Sequence, residues 1–257
     1  MSPVITLLAR GATSGGVAGL LSGAFSYLLA EPSMDRAVRL EAAREAAEHS
    51  ATDHHAEVFS RATQHVGLVV ATTATGLALG VLFAAVHLFL HRRAPHADAW
   101  PRAMRLTAAG FAAVWLLPFV RYPSSPPGVG DPGTVGQRTL AWFAAMGIGL
   151  IGVVLAWALH SHLESRGAGA PTRQLCVAAV LVAATAALFT LPDNTDAMDV
   201  PAGLLWEFRL WSVATALLLW AALGAAFGLL GERAARRALL PAPESGAARA
   251  RTRLAAR

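Results

Sequence analysis

The chain has 257 residues, of which 55% are hydrophobic and only 14% charged, with a formal net charge of +5. A soluble domain carries about a quarter charged residues, so this composition excludes an ordinary water-covered protein and predicts one embedded in lipid. All 21 basic residues are arginines, which excludes lysine chemistry such as Schiff-base formation or a P-loop. The single cysteine, Cys176, excludes a disulfide framework within one chain.

Six apolar runs approach the length of about 20 residues that crosses the hydrocarbon core. They predict an all-α, polytopic membrane helical bundle in residues 1–231, with spans at about 5–30, 64–90, 104–120, 139–159, 174–191 and 205–230. The third and fifth runs are short, and each reaches a crossing length only if an arginine at its start, Arg105 or Arg173, snorkels to the interface. Whether these two spans cross fully is left open by the sequence.

The arginines set the predicted orientation. With six spans both termini lie on one side, and that side holds 14 of the 21 arginines. The positive-inside rule therefore places both termini in the cytoplasm. Residues 232–257 form a basic tail, which we expect to be disordered and attracted to anionic lipid. Arginines spread over loops in this way do not indicate binding to nucleic acid.

The first span carries glycines at steps of four: Gly11, Gly15, Gly19 and Gly23. This spacing puts them on one helix face, where the absence of side chains lets a second backbone approach closely. We predict a helix-packing face, in preference to a ligand groove.

Prolines lie at the ends of the first, third and fifth spans: Pro32, Pro118 and Pro192. Helices commonly stop near prolines, so each is predicted to end its span. The next span then begins near an arginine in each case: Arg61, Arg138 and Arg209. The pattern suggests three helical hairpins of similar build; unrelated helix stops explain it equally well.

The first outer loop, residues 31–62, is long. Its charges between Asp35 and Glu45 alternate at helical spacing, which predicts an amphipathic helix on the outer surface. Imidazole and carboxylate groups follow, and these are ligands for divalent transition metals. They form a candidate outer metal site of His49, Asp53, His54, His55 and Glu57. Against this reading, neighbouring residues on a helix cannot all face one ion, and short histidine tracts are common on loops.

Ionisable groups also cluster where the spans meet the predicted outer boundary. Such groups are costly near hydrocarbon unless they are paired, and they often mark a transport pathway. The candidates, which serve either as pathway groups or as ion pairs that tie the hairpins, are Glu31, Arg61, His65, Arg121, Asp131, Arg138, Asp199, Glu207 and Arg209. On the inner side His87 and His91, one turn apart, form a second candidate pair; interfacial histidines with rings among the headgroups are the favoured alternative.

The loop at 121–132 contains four prolines and two glycines. Proline fixes φ and glycine permits tight turns, so the loop is rigid and compact. Non-helical backbone at membrane depth is tolerated only where protein or water satisfies it. We therefore expect the interrupted ends of spans three and five to border a central site, as in transporters with broken helices.

Several of these segments match a known family in order along nearly the whole chain. The matching residues are Glu31-Pro32 with Asp35 and Ala37; Val58, Ser60-Arg61, Gln64 and Gly67; Arg121-Tyr122-Pro123, Pro126 through Pro132 and Gly136-Gln137-Arg138; and Leu204-Leu205-Trp206 with Phe208-Arg209. With these motifs the chain resembles the CbtA family, proposed cobalt-transporter subunits of bacteria. The resemblance implies cobalt uptake, most simply for cobalamin synthesis, through the bacterial cytoplasmic (inner) membrane. It also implies a small CbtB-type membrane partner with a histidine-rich end, and it supplies no metal ligands.

The expected function is thus a permease subunit for a divalent metal ion, with Co²⁺ as the transported ion and Ni²⁺ as the close alternative. No permanently bound cofactor is expected. A non-transporting scaffold within a metal-uptake complex is the second reading, and a homo-oligomer remains open. An enzyme is disfavoured because the chain has no metalloprotease, serine-hydrolase or nucleotide-binding motif.

Overall fold

The structure, a computed structural model, describes residues 2–48, 61–91, 99–126, 130–194, 196 and 200–239. Within these residues all regular structure is helical, which confirms the all-α prediction. The helices are α1 (Pro3–Phe25), α2 (Glu31–Glu48), α3 (Arg61–His91), α4 (Ala99–Phe111), α5 (Leu117–Arg121), α6 (Val135–Ser165), α7 (Ala170–Leu188) and α8 (Ala202–Leu239). Two π-helical turns, Ser26–Ala30 and Ala112–Leu116, join α1 to α2 and α4 to α5, and a 3₁₀ turn, Pro132–Thr134, precedes α6.

Six helical stretches of the described chain are long and apolar enough to cross a membrane, as predicted. They are Pro3–Leu40, His65–His91, Ala99–Arg121, Val135–Ser165, Ala170–Leu188 and Ala202–Arg237. The third stretch has 23 residues and the fifth has 19, so both are of crossing length. The last helix continues to Leu239, so the basic tail begins as helix, and residues 240–257 lie outside the described part of the chain.

The expectation that Pro32 and Pro118 end their spans is wrong. Each proline lies inside a continuous helix, two residues after a π-helical turn. Proline lacks an N–H and its ring crowds the carbonyl of residue i−4, and the wider π-turn before it accommodates both. The N–H of Glu31 bonds to the carbonyl of Ser26 in the first such turn. A helix is therefore present at the predicted position as α2, but as a direct continuation of the first span.

Glycines form the contact between α1 and α3, as the four-residue spacing predicted. A Cβ built on Gly15 would overlap the carbonyl oxygen of Gly76, and one built on Gly80 would overlap that of Gly11. The two backbones are therefore in direct contact along this seam. In lipid, where apolar burial provides little drive, such close packing is what holds helices together.

The last helix, α8, lies at the centre of the bundle and packs on α1 and on α4. Its Trp220, Leu223 and Phe227 join Phe83 of α3 in the main core. α7 packs chiefly on α6, so it lies at the opposite side of the bundle from α3. The first two hairpins pack as sequential pairs, whereas the main partners of α7 and α8 are other helices.

The two ends of the bundle differ. A Cβ built on Gly231 of α8 would lie 2.9 Å from Nη1 of Arg10 in α1. The start of α1 and the end of α8 therefore lie at one end of the bundle, here called the proximal end. The opposite, distal end carries the α1–α2 junction, the loop after α5 and the loop after α7.

Candidate functional site

A cleft of about 1180 Å³ opens at the distal end. Its walls come from the α1–α2 junction, α5 and the loop after it, the start of α6, the loop after α7, and the distal half of α8. The rim is charged and includes Glu31, Arg121 and Asp196, whereas the cleft reaches inward to Trp220 at the middle of α8. This is the position at which the interrupted ends of the spans were expected to border a site.

The deeper part of the cleft is aromatic with a few hydroxyl groups. Trp115 and Phe119 stack on each other with ring centroids 4.6 Å apart. The hydroxyl oxygens of Ser26, in the first π-turn, and Thr215, in α8, lie 3.0 Å apart. An ion in this part would meet hydroxyls and ring faces and would keep part of its own water shell.

Arg121 joins the end of α5 to the end of α7. Its Nε donates to the carbonyl of Leu188, the last residue of α7, at 3.1 Å, and its Nη2 donates to the carbonyl of Leu191 at 2.6 Å. The same Nη2 lies 2.6 Å from a carboxylate oxygen of Asp193. The hydroxyl of Tyr122 donates to the carbonyl of Pro192 at 2.6 Å. A cation at a helix C-terminus complements the helix dipole. Together with the hydrogen bonds to Leu188, Leu191 and Pro192, it lets Arg121 and Tyr122 fix this side of the rim.

Asp196 is a nearly buried carboxylate in the loop after α7, with its side chain 4% exposed. It lies 3.3 Å from Nε of Arg138 and accepts a hydrogen bond from the hydroxyl of Thr134 at 2.9 Å. Gly130 has φ of 98°, and a Cβ built there would overlap both Arg138 and Asp196. The glycine is therefore required for the backbone conformation and for room beside this ion pair.

Asp131 is occupied locally. Its carboxylate accepts from the backbone N–H of Gly133 at 2.7 Å, and its carbonyl oxygen lies 2.8 Å from the hydroxyl oxygen of Thr134. Aspartate commonly bonds its own backbone two residues on to start a turn. The side chain therefore organises the entry to α6.

Two further pairs tie α8 to the rim. Arg36 of α2 lies 2.5 Å from Glu207, with the two side chains 50% and 37% exposed. Nε of Arg209 donates to the carbonyl of Ser124 in the proline-rich loop at 3.4 Å. Exposed pairs of the first kind contribute about 0–1 kcal/mol, so they set position more than stability.

A mixed carboxylate–imidazole cluster lies where α2 meets α3. One oxygen each of Glu31 and Asp35 and one ring nitrogen of His65 all lie within 4.8 Å of one another. Oε1 of Glu31 is 3.1 Å from Nε2 of His65. The Tyr27 ring packs edge-on against the imidazole with centroids 5.2 Å apart. Glu31 also lines the cleft, so the cluster lies at its mouth.

At the proximal end His87 and His91 share a helix face, as predicted, with ring centroids 4.5 Å apart. Nδ1 of His91 lies 3.0 Å from the carbonyl of His87. The buried His87 ring packs on Phe227, and the Arg10 guanidinium lies 4.0 Å over that same phenyl ring. The nearby positive charge disfavours a metal ion at this pair.

The family of probable cobalt transporter subunits (CbtA) has a model that matches residues 4–232. The chain belongs to the CbtA family. No curated protein and no solved structure matches it. The family is described as one of probable cobalt transporter subunits, which is not an enzyme class, and with the six apolar helices it indicates a multi-pass membrane protein.

In this CbtA chain the charges predicted from the span ends fall into separate groups. Glu31 joins His65; Arg121 joins the loop after α7; Arg138 lies beside the turn that Asp131 organises. Arg61 begins α3, and nothing is described of its side chain. The histidine-containing segment with His49, Asp53, His54, His55 and Glu57 lies outside the described residues, as does Asp199. Their metal and pathway roles stay predictions.

Sequence reasoning missed two carboxylates. Asp35 lies one helical turn after Glu31 and so shares its face, a relation hidden by the expectation that Pro32 ends the helix. Asp196 pairs with a residue 58 positions earlier in the chain, Arg138, and no local pattern marks such a pairing. The four-residue spacing of Glu31 and Asp35 could have predicted their shared helix face, whereas nothing in the sequence marks Asp196 as buried.

Proposed function

We propose that the chain admits divalent transition-metal ions, Co²⁺ above all, through the distal cleft and toward the proximal end. The observation that carries the proposal is the cleft itself. It leads from a rim with carboxylate and imidazole groups to the middle of α8 in a chain whose family is described as a cobalt transporter subunit. Intramembrane clefts with polar rims of this kind are where transporters bind ions.

The membrane orientation belongs to the same proposal. The excess of arginine on the side of the termini places the proximal end in the cytoplasm of a bacterial inner membrane. The distal cleft then faces outward, where the metal is collected. Cobalt entering in this way supplies cobalamin synthesis.

Energy for uptake is available without a nucleotide site. A membrane potential of about 100 mV is worth about 2.3 kcal/mol per elementary charge, so about 4.6 kcal/mol for an entering divalent cation. That sustains a gradient of roughly 2,000-fold, which is ample for a trace metal. The description as a subunit implies a partner, and we propose a small CbtB-type membrane protein with a histidine-rich end in that role.

The test is uptake of radioactive Co²⁺ by cells or proteoliposomes that contain the chain, alone and with the CbtB-type partner. We expect uptake that rises with an inside-negative potential and is inhibited by Ni²⁺. An absence of potential-dependent uptake in both cases overturns the proposal.

A scaffold role is the second candidate, and one observation favours it. The contacts of Arg121, Arg138 and Arg209 all hold loops or helix ends at the rim, as a docking platform requires. The two functions separate in the same assay. Uptake that survives in the partner alone, with this chain only raising the partner's abundance, supports the scaffold.

A further inference from the structure

We propose that Glu31, Asp35 and His65 form a binding site for one divalent transition-metal ion at the mouth of the cleft. Neither the family description nor the resemblance assigns ligands to this chain. The inference rests on the proposed function for its physiological meaning, since it names the residues that would first hold the ion. Binding itself is a property that the purified chain shows or does not show.

The distances suit shared coordination. Ligand atoms at about 2.0–2.2 Å from a transition-metal ion lie roughly 3 Å from one another, and Glu31 Oε1 and His65 Nε2 are 3.1 Å apart. Although this approach is close, Nε2 is buried and makes no hydrogen bond to the described residues. The Asp35 oxygen lies within 4.8 Å of both.

The donor set indicates the kind of ion. Two carboxylates and one imidazole combine a charge of −2 with a nitrogen ligand, which suits Co²⁺, Ni²⁺ or Zn²⁺ better than Mg²⁺ or Ca²⁺. Three protein ligands leave coordination positions for water. An ion held in this way can exchange, as entry to a transport pathway requires, and the Irving–Williams order predicts tighter binding of Ni²⁺ than of Co²⁺.

The fold holds the three side chains in place. The π-turn Ser26–Ala30 sets the rotation of α2 about its own axis. As a result Glu31, and Asp35 one turn later, lie on the face toward α3. Glycine contacts lock α1 to α3 below the site. The Tyr27 ring restrains the imidazole from one side. The side chains of Glu31 and His65 are only 13% and 27% exposed, so an ion there interacts with its ligands in a partly desolvated setting.

The competing reading is an ion pair between Glu31 and His65 that ties α2 to α3 without metal. Both readings place the same atoms together, so only metal binding separates them. The histidine segment at 49–57 is a second source of ligands and has to be removed from the measurement. The background for all variants is therefore the full chain with His49, His54 and His55 replaced by alanine.

The experiment titrates this purified protein with Co²⁺ alone and follows calorimetry and the visible d–d absorption of the metal. We expect one Co²⁺ per chain, and a loss of affinity of at least about 10-fold in each of Glu31→Gln, Asp35→Asn and His65→Ala. Glu164→Gln, at the proximal end and paired with Arg173, is the matched control and should bind normally. Size-exclusion chromatography and thermal unfolding check each variant, and His65→Gln replaces His65→Ala if the latter does not fold.

Unchanged Co²⁺ affinity in all three ligand variants, or displacement of Co²⁺ by equimolar Mg²⁺, overturns the site. The outcome for transport is read separately. Intact binding without any uptake by the native chain overturns the proposed function and leaves the site standing. Normal uptake by the native chain, together with unchanged Co²⁺ binding in the three variants, overturns the site and leaves the proposed function standing.

Discussion

Arg121 donates through Nε to the carbonyl oxygen of Leu188 at 3.1 Å, which joins the end of the third membrane span to the end of the fifth. The two residues are 67 positions apart in the chain. Because its Nη2 also donates to the carbonyl of Leu191, one guanidinium binds two carbonyls at the end of the fifth span. This contact closes one side of the cleft and is the basis of the first prediction.

Arg121→Gln should lower the free energy of unfolding by about 1.5–3 kcal/mol, since two hydrogen bonds from a charged donor and the ion pair with Asp193 are lost. Thermal unfolding in detergent, followed by circular dichroism, measures the change. Arg173→Gln is the control, because its partner Glu164 is 63% exposed and such a pair contributes about 0–1 kcal/mol. Equal losses in the two variants would contradict the role of Arg121.

Gly15→Ala should separate α1 from α3, since the added Cβ overlaps the Gly76 carbonyl. We expect overpacking to lower the free energy of unfolding by about 1–3 kcal/mol. Gly147→Ala is the matched control, because a Cβ there meets nothing within 4 Å and alanine favours helix by about 1 kcal/mol. Thermal unfolding of the two variants should therefore shift in opposite directions, and a similar shift in both argues against the seam.

Gly130→Ala should strain the loop before α6. Its φ of 98° is unfavourable for alanine, and the Cβ overlaps Arg138 and Asp196. We expect a loss of stability of about 1–2 kcal/mol from the backbone alone. Gly136→Ala, in the first turn of α6 with open space around it, should be close to neutral. Thermal unfolding compares the two variants. Equal stability would show that position 130 does not require glycine.

Asp196→Asn should destabilise the protein by about 1–3 kcal/mol, because it removes the charge partner of Arg138 at a position where Asp196 is 4% exposed and Arg138 33% exposed. Asp193→Asn removes a carboxylate that is 83% exposed and should cost less than about 1 kcal/mol. The free energies of unfolding of both variants in the same detergent provide the test. A larger loss of stability in Asp193→Asn than in Asp196→Asn would contradict the structural role of the Asp196 carboxylate.

Filling the cleft should reduce transport. Ala141 and Ala144 lie on its α6 wall, and replacing both with tryptophan should lower Co²⁺ uptake by roughly 10-fold or more if ions pass there. The same double change at Ala178 and Ala179, which are exposed on α7, should leave uptake unchanged. Uptake is normalised to the amount of folded protein in the membrane. Equal uptake by both double variants would place the pathway elsewhere.

The six spans and the glycine seam could be predicted from the sequence because both depend on local properties. A run of about 20 apolar residues partitions into hydrocarbon whatever its neighbours are, and glycines four apart share a helix face by helix geometry alone. The family motifs likewise lie in short contiguous segments. The charge excess on one side predicted orientation by the same local counting.

The tertiary structure alone decided how the charged groups at the distal end combine. Pro32 predicts a helix stop, because the sequence does not show the π-turn that accommodates it. That prediction assigns Glu31 and Asp35 to different elements. His65 meets them only because α1 and α3 are locked together, and Arg138 meets Asp196 only across two loops. Spans are specified by the solvent each segment prefers, whereas a site depends on which distant segments lie side by side, and that follows from the packing of the whole bundle.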